Sequence, residues 1–280
     1  MTSIRRRDLA LAAGAAALLP AIRHAAAQPA STWDAIKSRG DLRIGVTSAE
    51  PWFYKDPATE RWSGAATAYG AKLAEALGVR LNPVETTWGN AIAAIQANQI
   101  DVMFVLDPTP ERRQAVDFPD APFLYYAMGA MLRNGLQVAE WSELNKPGVK
   151  LGVTLGTSID RFATANLAQA TIERFASNDE AVAAFAARRV DAVLQFHPAL
   201  IAQKARLRLG NIVLPRPVAP VPTSAGIRKE ADTRWKDWLD ARFREYYDDG
   251  TTKTLFETYL RSRNIDPATT PGVTREGWGL

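Results

Sequence analysis

An α/β chain folded as two modest domains is what the sequence predicts, and three observations carry it. At 280 residues and 47% hydrophobic the chain can bury a sizeable core, and its length suits two domains rather than one. The run Ile100-Asp101-Val102-Met103-Phe104-Val105-Leu106 is apolar and β-branched enough for an interior parallel strand, which Asp107-Pro108-Thr109-Pro110 then breaks. From Lys150 onward the same strand-then-helix alternation repeats.

In chain order, Thr32 opens a short helix over 33–38 that Gly40 closes, and Leu42-Arg43-Ile44-Gly45-Val46 reads as the first strand. After a polar turn, Gly64 leads into an Ala-rich helix ending at Leu77-Gly78, and a strand follows over 79–84. Trp88 begins a helix that runs to Ile95 and precedes the strand over 100–106. Thr109 caps the next helix, with Pro110 at its first position. The stretch 123–132 is extended and apolar, without helical period. Strands over 150–154, 171–175 and 190–194 then alternate with helices over 158–168, 179–187 and 198–205. A Pro-rich stretch, 215–222, carries the chain back, two amphipathic helices cover 233–247 and 252–262, and 264–280 reads as an aperiodic surface tail.

Composition removes several classes of chemistry. With no cysteine, disulfides, thiolate nucleophiles and Cys-based metal sites are excluded. Of two histidines, His24 lies near the N-terminus, so any His-dependent mechanism rests on His197, and no cofactor or metal is called for. Residues 1–27 have the three parts of an export signal: Arg5-Arg6-Arg7, an apolar run over 9–19, and Ala25-Ala26-Ala27 as a cleavage site. Paired arginines after Ser3 give it a twin-arginine look, although Leu9 stands where that motif prefers Phe. Cleavage near Ala27 removes four arginines and one aspartate, and 34 Lys+Arg against 30 Asp+Glu become 30 against 29. The expected mature protein is periplasmic and near neutral, with no electrostatic case for nucleic acid.

In open α/β sheets ligands bind beyond the carboxyl ends of the strands, which is where Arg112 lies, and a guanidinium there is a fork for a carboxylate. The bland alternative is a surface arginine paired with Glu111 or Asp117. The surrounding Thr109-Pro110-Glu111-Arg112, Val116-Asp117-Phe118 and Pro122-Phe123 resemble the signature of family 3 periplasmic solute-binding proteins, the polar amino acid receptors of ABC importers. Leu42-Arg43-Ile44-Gly45-Val46, the helix from Trp88 and Asp191-Ala192-Val193 extend the resemblance over about 38–262. Where relatives carry G-F-D-V-D-L, this chain has Gly64-Ala65-Ala66-Thr67-Ala68-Tyr69.

The resemblance implies the two-lobed periplasmic-binding-protein fold with two crossings between lobes. Lobe 1 is expected over 28–124 plus 224–263, lobe 2 over 125–223, with 264–280 as a C-terminal tail. It also implies a monomer that delivers an amino acid or related small carboxylate to an ABC permease. Arg112 inherits the ligand carboxylate, and the Gly156-Thr157-Ser158 turn clamps it from the other lobe. Read alone, that turn is as readily a helix cap. Trp88 is a cleft wall or a core tryptophan. Relatives hold the α-amino group with an acidic residue at the position occupied here by Phe196. Asp107 or Glu50 is then the replacement, or the ligand lacks an amine; Asp107 otherwise caps its loop or pairs with Arg112. Phe196 and His197 make that wall aromatic, which favours a flat or apolar carboxylate. Two alternatives stand beside the amino acid receptor: a receptor for a non-amino-acid carboxylate, and a lyase resembling periplasmic cyclohexadienyl dehydratases, whose general acid would be Asp107, Glu50 or His197.

Overall fold

The computed structural model describes residues 31–279, so the expected export signal over 1–27 lies outside the described residues. Ser31 caps α1 (Thr32–Arg39), whose end is turned by Gly40 in the left-handed conformation. There follow β1 (Asp41–Val46), the short hairpin of β2 (Tyr54–Lys55) and β3 (Trp62–Ser63), α2 (Ala65–Leu77), β4 (Arg80–Glu85), α3 (Ala91–Gln96), β5 (Met103–Leu106) and α4 (Pro110–Ala115). The hairpin stands where only a polar turn was expected. The helix expected from Trp88 begins three residues later, because residues 88–90 form a turn first.

The remaining elements are β6 (Leu124–Leu132), β7 (Lys150–Thr154), α5 (Ser158–Asn166), β8 (Thr171–Phe175), α6 (Asn178–Ala186), β9 (Ala192–Phe196), α7 (His197–Leu207), β10 (Asn211–Val213), β11 (Pro220–Gly226), α8 (Arg234–Asp248) and α9 (Thr251–Ser262). Strand order β5-β11-β6-β9-β7-β8, with β10 also on β6, makes one mixed sheet; β1 and β4 pair in parallel beside it, and an Ile44–Val102 bridge joins the two.

Two long strands make this a two-lobed fold. The first half of β6 pairs with β11 and its second half with β9 and β10. In turn β11 leaves β6 for β5 at Ser224. Each strand therefore belongs to two neighbourhoods and carries the chain across. At its β5 end, β11 meets a bulge: Ser224 faces Leu106 and Ala225 faces Phe104, so Val105 is a surplus residue, held at φ 59°. A β-branched residue in that region is strained, and it sits at the carboxyl end of β5, directly before the segment that carries Asp107 and Arg112.

Packing is aromatic on the first-lobe side. Tyr69 of α2 is fully buried and meets Phe104, Phe123 and Phe243 edge-on at 4.6–5.7 Å between ring centres. Asp101 is buried, and its carboxylate is bonded by Arg39 and Arg43. Residues 264–279 are not a free tail. Val273 is buried and its carbonyl accepts from the Tyr125 N–H, while Trp278 lies edge-on to His197 at 5.2 Å. The lack of period that suggested a loose end reflects two 3-10 turns, 267–269 and 275–278, moulded to a surface. Among the described residues no helix is long and apolar enough to cross a membrane.

Candidate functional site

Arg112 is positioned by its own helix start. Thr109 caps α4 by accepting from the Arg112 N–H at 3.3 Å, with Pro110 at the first helical position. The side chain turns inward and is 7% exposed. Nη1 donates to the Asp107 carbonyl and Nη2 to the Gly156 carbonyl, both at 3.0 Å. It pairs with neither Glu111 nor Asp117. Burial lowers its pKa from the ordinary guanidinium value, and the neighbouring Asp107 charge opposes that shift. Two carbonyls take two of its five N–H groups, leaving a fork still able to meet an anion.

Asp107 follows the bulge and presents its carboxylate to the same cavity. Both of its oxygens are engaged by hydroxyls: the Tyr126 hydroxyl donates to one and the Ser158 hydroxyl to the other. Burial raises the Tyr126 pKa well above its ordinary value, and the Asp107 carboxylate pushes the same way. The hydroxyl therefore stays protonated and donates.

The opposing turn comes from the strand-to-helix junction of β7 and α5. Thr157 caps α5, accepting from the Asp160 N–H at 3.2 Å. Gly156 sits at φ 76°, and a Cβ there would come within 3.0 Å of the Gly89 backbone, so glycine is what lets the two loops touch. A turn at a helix start can offer its backbone N–H groups to an anion. At Gly156 that offer is closed, because its N–H donates to Asp160 at 3.1 Å and its carbonyl is spent on Arg112. Thr157 and Ser158 are what the turn brings to the cavity.

A cavity of about 30 Å³ joins these groups, room for roughly one water. Trp88, Asp107, Arg112, Thr157, Ser158 and Phe196, all candidates from the sequence, line it together. Trp88 is both a wall and a core residue, 7% exposed and 6.2 Å from Phe53 between ring centres. Phe196 stacks on Tyr126 at 3.6 Å and 4°, giving the wall its flat aromatic face. Thr109 and Gly156 act one step back, by holding Arg112.

Glu50 is a correction. Its carboxylate is buried elsewhere, accepting from the Tyr259 hydroxyl and from Arg263 Nη2 at 2.5 Å each, with Arg206 at 3.9 Å. His197 also stays out of the cavity. Its Nδ1 accepts from the Ala127 N–H, so Nε2 carries the proton and meets the Pro271 carbonyl, both at 3.2 Å; burial lowers its pKa to about 4. Five lining residues escaped sequence reasoning as site residues: Trp52, Val105, Tyr126, Asn178 and Gln195. The Gln195-Phe196 position at a strand end beside the expected ligand wall was the available signal for one of them.

Residues 42–262 match the signature of the bacterial extracellular solute-binding proteins, family 3. The L-arginine-binding protein of Pseudomonas aeruginosa is 32% identical over 161 residues, which span 55% of this chain and only 60% of that relative. The general L-amino acid-binding periplasmic protein of Rhizobium johnstonii is 28% identical over 246 residues, 84% of this chain and 70% of its own length. Among solved structures, an ancestral amino acid-binding protein described as a precursor of cyclohexadienyl dehydratase is 31% identical, with a TM-score of 0.74 over 82% of this chain and 99% of that one.

Proposed function

Because this chain belongs to the bacterial extracellular solute-binding proteins of family 3, we propose that it is the periplasmic receptor of an ABC importer and that its ligand is a small amino acid held between the lobes. One observation carries the reading. A guanidinium and a carboxylate, Arg112 and Asp107, line one buried cavity, the charge pattern that a zwitterion's carboxylate and ammonium complement. Asp107 takes the ammonium, replacing the acidic group missing at Phe196, and Ser158 meets the ligand from the facing lobe, where Thr157, whose hydroxyl donates to the Thr154 carbonyl at 2.7 Å, holds the turn.

Ligand entry requires the lobes to part, since the cavity holds about one water. Arg112 and Ser158 each bridge the cleft now, through the Gly156 carbonyl and Asp107 respectively. A ligand that takes over both roles favours the closed arrangement through contacts with both lobes. The lobe boundary at 223–224 is supported by the strand exchange of β11 at Ser224. Periplasmic delivery rests on the export signal over 1–27, and a binding rather than catalytic role is favoured by relatives that are amino acid-binding proteins. A lyase would need a general acid in the cleft, and of Asp107, Glu50 and His197 only Asp107 lines it.

Mass spectrometry of ligand released from protein purified without refolding tests the proposal, followed by thermal-shift screening. A released α-amino acid whose stabilisation disappears in Arg112→Ala is expected. An undiminished shift in that variant, or turnover of arogenate or prephenate, would remove it.

A further inference from the structure

The inner wall of the cleft is rich in donors and poor in acceptors, and this selects among amino acids. Gln195 is 7% exposed and Asn178 is 4% exposed, and both line the cavity. The Gln195 Oε1 accepts from the Phe196 backbone N–H at 3.0 Å. A backbone N–H can only donate, so the carboxamide orientation is fixed and its NH₂ is left over. The Asn178 Oδ1 accepts from the Thr154 hydroxyl at 2.8 Å, and in that arrangement its NH₂ is left over, although a hydroxyl, unlike a backbone N–H, does not by itself fix the carboxamide. Neither NH₂ has a partner among the described residues. Against these donors the cavity lining contains a single carboxylate, Asp107.

Resting on the proposed function above, we infer that the ligand is a short amino acid whose side chain ends in a carboxamide or carboxylate, received by the NH₂ groups of Gln195 and Asn178. Arg112 takes the α-carboxylate and Asp107 the ammonium, so no anion remains for a second cation. An arginine or lysine side chain would meet only donors, so its buried charge would have no acceptor at all, whereas a side-chain carboxylate would be met by the two NH₂ groups. An alanine side chain would leave two buried NH₂ groups unsatisfied. The cleft therefore departs from its arginine-binding relative in what it accepts.

Calorimetric titration of protein unfolded and refolded to strip carried ligand, against L-asparagine, L-aspartate, L-alanine and L-arginine, tests this. Asparagine or aspartate is expected to bind at least about tenfold more tightly than alanine, with arginine weakest. Gln195→Leu is expected to narrow the asparagine-to-alanine affinity ratio by about tenfold, and Asn178→Leu by a similar factor. Gln195→Glu exchanges donors for an anion and is expected to shift preference toward arginine. It keeps the size of the side chain, so it also serves if the leucine variants do not fold. Arginine binding to the wild type as tightly as asparagine, or a ratio unmoved by the Gln195 variants, would overturn the inference and leave the proposed function standing. A folded wild type that binds none of the four would overturn the inference, and the proposed function falls with it only if the ligand released from natively purified protein is no amino acid.

Discussion

Glu50 is a buried carboxylate and Asp107 a half-buried one, each followed in sequence by a proline and each bonded to a tyrosine hydroxyl, yet they do opposite things. Around Glu50 an arginine spends a donor on the carboxylate itself: Arg263 bonds it at 2.5 Å, while Arg206, bonded to Asp179 at 2.8 Å, stands at 3.9 Å. Around Asp107 the neighbouring arginine bonds the backbone carbonyl, and among the described residues only hydroxyls bond the carboxylate. Glu50 is thus a closed ion pair that fastens α9 to the segment after β1. Asp107 keeps a negative charge facing a cavity. Burial and acidity alone do not mark a binding residue; what matters is whether the nearest cation has already been spent.

That contrast is most directly broken at Arg112. Arg112→Ala is expected to weaken the ligand by more than about 100-fold, since a buried carboxylate would lose its charge-assisted donors; calorimetry reads it, and a loss of only a few-fold would mean that the guanidinium is structural. Next in size, Asp107→Asn should weaken an amine-bearing ligand by about 30-fold while sparing its deaminated analogue, the effect of removing an ammonium's counter-charge. Equal losses for the two would place Asp107 with Glu50 as a structural group.

Glu50→Gln should give the reverse pattern. Stability is expected to fall by about 1–3 kcal/mol as Arg263 and Tyr259 lose a charged acceptor, measured by urea unfolding, with ligand affinity within about twofold of wild type. The last effect falls outside both clusters, at His197, and emerges only on acidification. Its folded-state pKa of about 4 lies below the ordinary value of 6.5, so the unfolded chain binds more protons between these limits. Stability should therefore be level above about pH 6.5 and fall by about 1 kcal/mol per pH unit toward pH 4. His197→Gln should flatten that slope, and an unchanged slope would show that carboxylates, not this imidazole, set the acid limit.

Much of this was legible because it is local. Asp107-Pro108-Thr109-Pro110 ends a strand, caps a helix and so fixes where Arg112 stands, all within a few residues. Thr157 announces itself as a cap in the same way. What escaped depends on convergence. Trp52, Tyr126, Asn178 and Gln195 come from four separate segments and meet only when β6 and β11 bring the lobes together. The fate of Glu50 turned on Tyr259 and Arg263, more than 200 residues away. The Gly156 amide was taken by Asp160, four residues on, a competition that composition does not reveal.

The surplus residue in β5 has a consequence of its own. Successive side chains along a strand alternate between faces, so a strand carrying one residue too many changes which side everything beyond it addresses. Deleting Val105 would restore an unbroken ladder with β11 and relieve a left-handed backbone, yet it would also rotate Asp107 out of step with Tyr126 and Ser158. The sign of the charge that greets a solute in this receptor is thereby written in chain length as much as in residue type.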